Sequence, residues 1–294
     1  MGEAAGSYTI EEFTASDGYV WRYRRYPPRS PIKAEVVFIH GIQSHAGWYE
    51  YSCQHLAAAG FGVAFLDRRG SGVNQKDRGD APSFRRLLDD VAEYLAKVPR
   101  TITWDRAPAR LPLVLAGISW GGKLAVALER RHPALVDGLM LLCPGFYPRV
   151  HLTLGQRLGI FATRWLRPRK LFPIPLNDPE LFTTNPRWQQ FLRDDPLRLH
   201  RSTARLLLES ARLDGYLRFV PKYVQIPVLV LLAENDRIIH NAKTRTFVDR
   251  LATKDKQIIE YAGASHTLEF EAEPDRFIDD MKNWLNERSE EAKP

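Results

Sequence analysis

Residues 111–122 read LPLVLAGISWGG, and this stretch decides the fold of the chain. An apolar run of strand type leads into the motif GISWG at 117–121, and a helical pattern follows. This order predicts a strand, a sharp turn and a helix that lift the hydroxyl of Ser119 to the top of a sheet as a nucleophile. Glycines are expected here because Cβ atoms at Gly117 and Gly121 would collide with the neighbouring helix or strand.

Three further candidate groups follow predicted strands. His40-Gly41-Ile42 ends the run 36–39, Asp236 follows the run 227–233, and His266 follows the run 257–261. Open α/β sheets build their sites at the carboxyl ends of strands, so we expect these groups to meet at Ser119. The chain order Ser, Asp, His distinguishes this arrangement from the other two common serine triads. Glu234 leaves the same strand end as Asp236 in the same direction, so it remains open as the acid.

The rhythm of strands and helices indicates how the chain is organised. Alternating strands and helices predict an α/β fold with a mostly parallel central sheet and helices on both faces. Between 146 and 224, short helical stretches interrupted by proline replace this alternation. We therefore expect a core domain formed by 1–145 and 225–294, and an inserted helical lid formed by 146–224 over the carboxyl edge of the sheet.

The composition is typical of a globular protein. Hydrophobic residues make up 44% and charged residues 26% of the 294 residues. No apolar run approaches the roughly 20 residues of a membrane helix, and the first residues lack the pattern of a signal peptide. A cytoplasmic location is the expectation, with Cys53 and Cys143 as reduced, buried thiols.

The predicted lid concentrates the basic residues. Residues 146–225 contain 14 Lys and Arg and 6 Asp and Glu. Leu154, Leu158, Phe161 and Trp165 recur at helical spacing in the same region, which leaves two interpretations open. The stripe is either lid core packed on the sheet domain, or an amphipathic face that contacts a lipid surface and makes the protein membrane-associated. Nucleic acid is not an expected partner, since no recognition module accompanies the charge.

Several motifs together carry a resemblance to a known family. They are HGIQSHAGWY at 40–49, DRRGSG at 67–72 and GISWGG at 117–122, completed by NDR at 235–237 and ASH at 264–266. The chain resembles the α/β-hydrolase superfamily, and within it the monoacylglycerol lipase and lysophospholipase-like group of serine aminopeptidase S33 type. It departs from many relatives at Gln43, where they have glycine, at Trp48, where they have arginine, and around Ser119, where they have His-Ser-Met. These departures bear on the pocket for the leaving group.

The resemblance implies a role for each triad member. His266 takes the proton of Ser119 and later delivers it to the leaving alcohol, and Asp236 holds the imidazole in the correct tautomer. The resemblance favours Asp236 over Glu234 as the acid. No metal or organic cofactor is expected, because His40 and His45 lack a third ligand at metal spacing and this chemistry needs none.

Two backbone groups are candidates for the oxyanion hole. The residue after the nucleophile supplies one donor, the N–H of Trp120, and the loop after the early strand supplies the other, the N–H of Ile42. We expect His45, Trp48 and Tyr49 to contact the substrate. His45 has an equally good interpretation as a hydrogen-bonded loop residue.

The sequence thus predicts a serine carboxylester hydrolase that forms an acyl-enzyme. The expected substrates are lipid or small-molecule acyl esters, such as monoacylglycerols or lysophospholipids. A small-molecule esterase and a peptidase of the prolyl-iminopeptidase kind are alternatives within the same chemistry. A ligand-binding protein that keeps the fold without catalysis is the alternative from another class.

Overall fold

The computed structural model describes residues 8–29, 31–104 and 107–291. In these ranges one sheet has eight strands: β1 (Thr9–Thr14), β2 (Val20–Tyr26), β3 (Ala34–Ile39), β4 (Phe61–Leu66), β7 (Leu113–Ile118), β8 (Gly138–Leu142), β11 (Val228–Ala233) and β12 (Lys256–Tyr261). Their spatial order is β1-β2-β4-β3-β7-β8-β11-β12. The pairs from β4 to β12 are parallel, whereas β2 pairs antiparallel with both β1 and β4.

Helices connect the strands and cover the sheet. They are α1 (Glu50–Ala58), α2 (Phe84–Leu95), α3 (Trp120–Arg131), α4 (Leu154–Leu166), α5 (Pro186–Asp194), α6 (Ala204–Leu217), α7 (Asn241–Asp249) and α8 (Asp275–Glu291). Every residue of β3, β4, β7, β8 and β11 is buried. A parallel strand is buried along its whole length only when helices cover both faces of its sheet. The predicted α/β fold is confirmed.

Local sequence signals set the ends of these helices. The Ser83 hydroxyl accepts the N–H of Arg86 at 3.0 Å and so caps the first turn of α2. Gly60 follows α1 with φ +97°, a left-handed conformation that glycine adopts without steric cost. The chain therefore turns sharply after α1 and enters β4.

The segment between β8 and β11 carries α4, α5 and α6. It also contains a two-stranded antiparallel ribbon of β9 (Leu171–Pro173) and β10 (Arg201–Thr203). A second ribbon pairs β5 (Thr101–Trp104) with β6 (Ala107–Arg110). The sequence analysis missed both ribbons, because strands of three or four residues are too short for a recognisable alternation.

The apolar stripe of α4 faces outward. Leu154, Leu158, Phe161 and Trp165 are 57–73% exposed, whereas Ile160 on the same helix is buried. The interpretation of the stripe as packed lid core is therefore wrong. Helix α4 packs on α6, α6 packs on α3, and α3 packs on β7 of the sheet.

The structure also describes the state of the two cysteines and the character of the helices. Cys53 and Cys143 are free and buried, as predicted. Within the described ranges, no helix combines the length and the apolar character that crossing a bilayer requires.

Candidate active site

Ser119 lies at the turn between β7 and α3 in a strained backbone conformation, with φ +51° and ψ −119°. A Cβ atom on Gly117 would lie 2.7 Å from the Cα of Gly122. One on Gly121 would lie 2.3 Å from the carbonyl oxygen of Ile39. Close contacts thus require both glycines. The predicted sharp turn at residues 117–121, the elbow, holds the Ser119 side chain above the sheet.

The structure brings the three predicted triad residues together. The Nε2 atom of His266 lies 3.0 Å from the Oγ of Ser119, and its Nδ1 lies 2.6 Å from the Oδ2 of Asp236. The other carboxylate oxygen of Asp236 accepts the N–H groups of Ile238 and Ile239 at 2.8 and 2.9 Å. Because Asp236 is held on both sides, it fixes the imidazole with a proton on Nδ1 and a lone pair toward Ser119.

Glu234, the alternative acid, is placed elsewhere. Its side chain is exposed, and its Oε2 accepts the N–H of Gly263 at 2.7 Å. Glu234 therefore stabilises the loop that carries His266, and its hydrogen bond goes to that loop and not to the imidazole. Of the two carboxylates, Asp236 contacts His266 and Glu234 contacts Gly263.

The loop 40–42 lies beside the nucleophile. A Cβ atom on Gly41 would come within 3.3 Å of the Cβ of Ser119. The N–H of Trp120 belongs to the first residue of α3, where helical N–H groups have no acceptor within the helix. The assignment of the Ile42 and Trp120 N–H groups to an oxyanion hole stays a prediction.

His40 is buried and joins two loops. Its Nδ1 lies 2.7 Å from the carbonyl oxygen of Gly41, and its Nε2 accepts the N–H of Arg68 at 3.1 Å. Burial holds the pKa of His40 well below its usual value, so the ring is neutral and donates from Nδ1 alone. These two contacts give His40 a structural role between the loops.

A polar contact that the sequence analysis missed joins the inserted segment to the loop after β3. The Oδ2 of Asp195 lies 2.9 Å from the Nε2 of His45 and accepts the indole N–H of Trp48 at 2.7 Å. Arg198 donates to the side-chain oxygen of Gln43 at 3.0 Å. All five side chains are buried. Gln43 and Trp48, two departures from the family pattern, thus bind the inserted segment to the loop after β3.

The predicted substrate contacts have different surroundings. Trp48 packs edge-on against Phe182 at 5.6 Å between ring centres, and Phe182 lies 6.1 Å from the ring of His266. Tyr49 stacks on Phe65 in the core at 5.4 Å. Phe182 was not predicted, because a phenylalanine in an irregular stretch carries no signal of its own. Substrate contact by His45, Trp48 and Tyr49 stays a prediction.

Two triad residues and a neighbouring cysteine form a cluster of side chains that are able to ligate a metal. Ligand atoms of Cys143, Asp236 and His266 all lie within 4.8 Å of one another. The 2.6 Å between His266 Nδ1 and Asp236 Oδ2 is a direct hydrogen bond, whereas an ion between them would need about 2.0–2.2 Å to each atom. The cluster therefore fits a hydrogen-bonded dyad beside a thiol better than a metal centre.

A sequence model of the family described as serine aminopeptidase, S33, matches residues 30–273 of the chain. The chain belongs to this family. The motifs at 40–49, 67–72 and 117–122, on which the resemblance was drawn, all lie inside the matched range. The chain thus falls among the α/β hydrolases of monoacylglycerol lipase-like type, as predicted.

Individual relatives are distant in sequence. The chain is 28% identical over 276 residues to the monoacylglycerol lipase of Mycolicibacterium smegmatis, with 90% of this chain and 91% of the relative covered. It is 26% identical to an uncharacterized abhydrolase domain-containing protein of Dictyostelium discoideum, of which it spans only 30%.

A solved structure shares the fold. A soluble variant of the monoglyceride lipase of Saccharomyces cerevisiae, in complex with a substrate analog, superposes with a TM-score of 0.79 at 19% identity. The superposition covers 97% of this chain and 96% of that one. At this identity the likeness establishes a common architecture.

Proposed function

We propose that the protein is a serine carboxylester hydrolase that acts through an acyl-enzyme on acyl esters such as monoacylglycerols or lysophospholipids. One observation carries the proposal: the His266 ring contacts the Ser119 hydroxyl through Nε2 at 3.0 Å and the Asp236 carboxylate through Nδ1 at 2.6 Å. A serine hydroxyl is a weak nucleophile at neutral pH, and a base within hydrogen-bond distance activates it.

Acylation follows from this geometry. Ser119 Oγ attacks the ester carbonyl carbon while its proton passes to His266 Nε2, and the carbonyl oxygen becomes negative. The imidazolium is stabilised by Asp236, and it then returns the proton to the alcohol oxygen as the ester bond breaks. The acyl group remains on Ser119.

The negative oxygen of the tetrahedral intermediate requires donors. In our proposal the N–H groups of Ile42 and Trp120 serve this purpose, and each such donor typically stabilises the transition state by about 3 kcal/mol. Both are backbone groups whose orientation the elbow and the loop fix before substrate arrives. Water then repeats the attack on the acyl-enzyme with His266 as base, which frees the fatty acid.

A lipid substrate is supported by the surface of α4. Phe161, Trp165 and their neighbours present an exposed apolar face, and the exposed basic residues Arg157, Arg167 and Lys170 lie on or just beyond the helix. An apolar face flanked by cations is typical of helices that lie in an anionic membrane surface. We propose that residues 146–224 act as a lid and make a peripheral membrane contact through α4.

A substrate panel tests the leaving group. We expect purified protein to hydrolyse p-nitrophenyl esters of eight or more carbons and monoacylglycerols, and to leave aminoacyl anilides intact. The variant Ser119→Ala controls for contaminating esterases. Hydrolysis of the anilides alone would reject the ester proposal in favour of a peptidase.

A further inference from the structure

Arg68 is a buried cation that makes no ion-pair contact with a carboxylate of the described residues. It is 5% exposed, and no Asp or Glu of the described residues lies within ion-pair distance of its guanidinium group. The adjacent Arg69, equally buried, pairs with Asp90 at 2.6 Å and Asp17 at 2.9 Å. Burial lowers the pKa of Arg68 to about 10, and the nearby charge of Asp67 offsets only part of this effect. A buried charge without an ion pair destabilises the folded state, so the fold alone does not account for an arginine at this position.

Its hydrogen bonds go to the loop beside the nucleophile. The Nη2 atom of Arg68 donates to the carbonyl oxygens of Gly41 at 2.8 Å and Ile42 at 3.1 Å. Its guanidinium carbon lies 4.8 Å from the ring centre of Trp120. Arg68 thus contacts both residues whose N–H groups are the proposed oxyanion donors.

The peptide geometry links this contact to the donor. The carbonyl of Gly41 and the N–H of Ile42 belong to one trans peptide unit, so they point in opposite directions. A cation on the carbonyl side turns the N–H away from itself and, by drawing electron density toward the oxygen, makes that N–H a stronger donor. Neutral His40 binds the same carbonyl at 2.7 Å and supports the orientation without adding charge.

We propose that Arg68 is a positioning residue of the oxyanion hole, which orients and polarises the Gly41–Ile42 peptide so that its N–H binds the developing negative oxygen. This inference rests on the proposed function. Arg68 does not touch the substrate; it acts through the peptide unit. Because the donor is aligned in advance, no reorganisation is needed when the charge appears.

The variants Arg68→Met and Arg68→Lys test the proposal with two readouts. For p-nitrophenyl butyrate, we expect Arg68→Met to lower kcat about tenfold to a hundredfold, less than the loss of a whole donor, with KM within about twofold. The Ki of a trifluoromethyl ketone, which forms a tetrahedral adduct with serine, should rise by the same factor as kcat/KM falls. Arg68→Lys keeps the charge and should recover part of both losses.

Arg69→Lys is the matched control. It weakens two ion pairs in the same loop, so we expect a lower melting temperature with kcat within about twofold of wild type. Arg68→Met with wild-type kcat, an Arg68→Met loss confined to KM, or unfolding of both Arg68 variants would overturn the assignment. A wild-type protein that hydrolyses no ester and does not react with the ketone would instead reject the proposed function itself.

Discussion

Replacing Asp236 by asparagine separates the two functions of this carboxylate. One oxygen accepts from His266 Nδ1, and the other accepts two backbone N–H groups, from Ile238 and Ile239. An amide accepts on only one side. If its NH₂ group faces His266, the imidazole proton is forced onto Nε2, the atom that must take the proton of Ser119. We expect kcat to fall about 10⁴-fold, equal to about 5.5 kcal/mol of transition-state stabilisation.

The control for this variant is Glu234→Gln, the other carboxylate at the same strand end. The new amide keeps an acceptor for the N–H of Gly263, so we expect kcat within about twofold of wild type. Burst kinetics with a p-nitrophenyl ester give the rate of acylation and kcat of both variants, and thermal melting verifies that they are folded. The reasoning is refuted if Asp236→Asn retains a tenth of wild-type kcat, or if Glu234→Gln loses as much.

Three further predictions concern packing, pH and lipid. Gly121→Ala places a Cβ 2.3 Å from the carbonyl oxygen of Ile39, so urea denaturation should show a loss of about 1–3 kcal/mol; full stability would contradict the elbow geometry. Burial raises the pKa of Glu269 to about 7 from 4.5, so the folded chain keeps a proton that the unfolded chain releases. The free energy of unfolding should therefore fall by about 3 kcal/mol between those pH values, and Glu269→Gln should remove that part of the slope. The double variant Leu158→Glu with Trp165→Glu should bind phosphatidylglycerol vesicles at least about tenfold more weakly yet hydrolyse p-nitrophenyl acetate normally; unchanged binding would reject the membrane role of α4.

The elbow and the strands of the main sheet were predictable because their signals are local. Gly117 and Gly121 mark a turn that tolerates no Cβ, and buried parallel strands appear as continuous apolar runs. Asp236 and His266 were found because a parallel sheet gathers its strand ends at one edge. Chain order and strand ends thus contained most of the information about the triad.

What the sequence could not provide depends on contacts between distant segments. Asp195 acts on His45 and Trp48, which lie far away along the chain, and nothing near Asp195 indicates these partners. Arg68 and Arg69 are adjacent and identical in type, yet one pairs with carboxylates and the other with carbonyls. The stripe of α4 has the same pattern whether it is packed or exposed, so only the structure distinguishes the two.

The most direct test of the account is covalent trapping of the nucleophile. A fluorophosphonate reacts only with a serine that a neighbouring base activates, and peptide mapping by mass spectrometry locates the adduct. We predict a single adduct on Ser119 and an inactivation rate constant at least about 10³-fold lower in His266→Ala. An adduct that persists in Ser119→Ala, or an inactivation rate that does not depend on His266, would contradict the central claim.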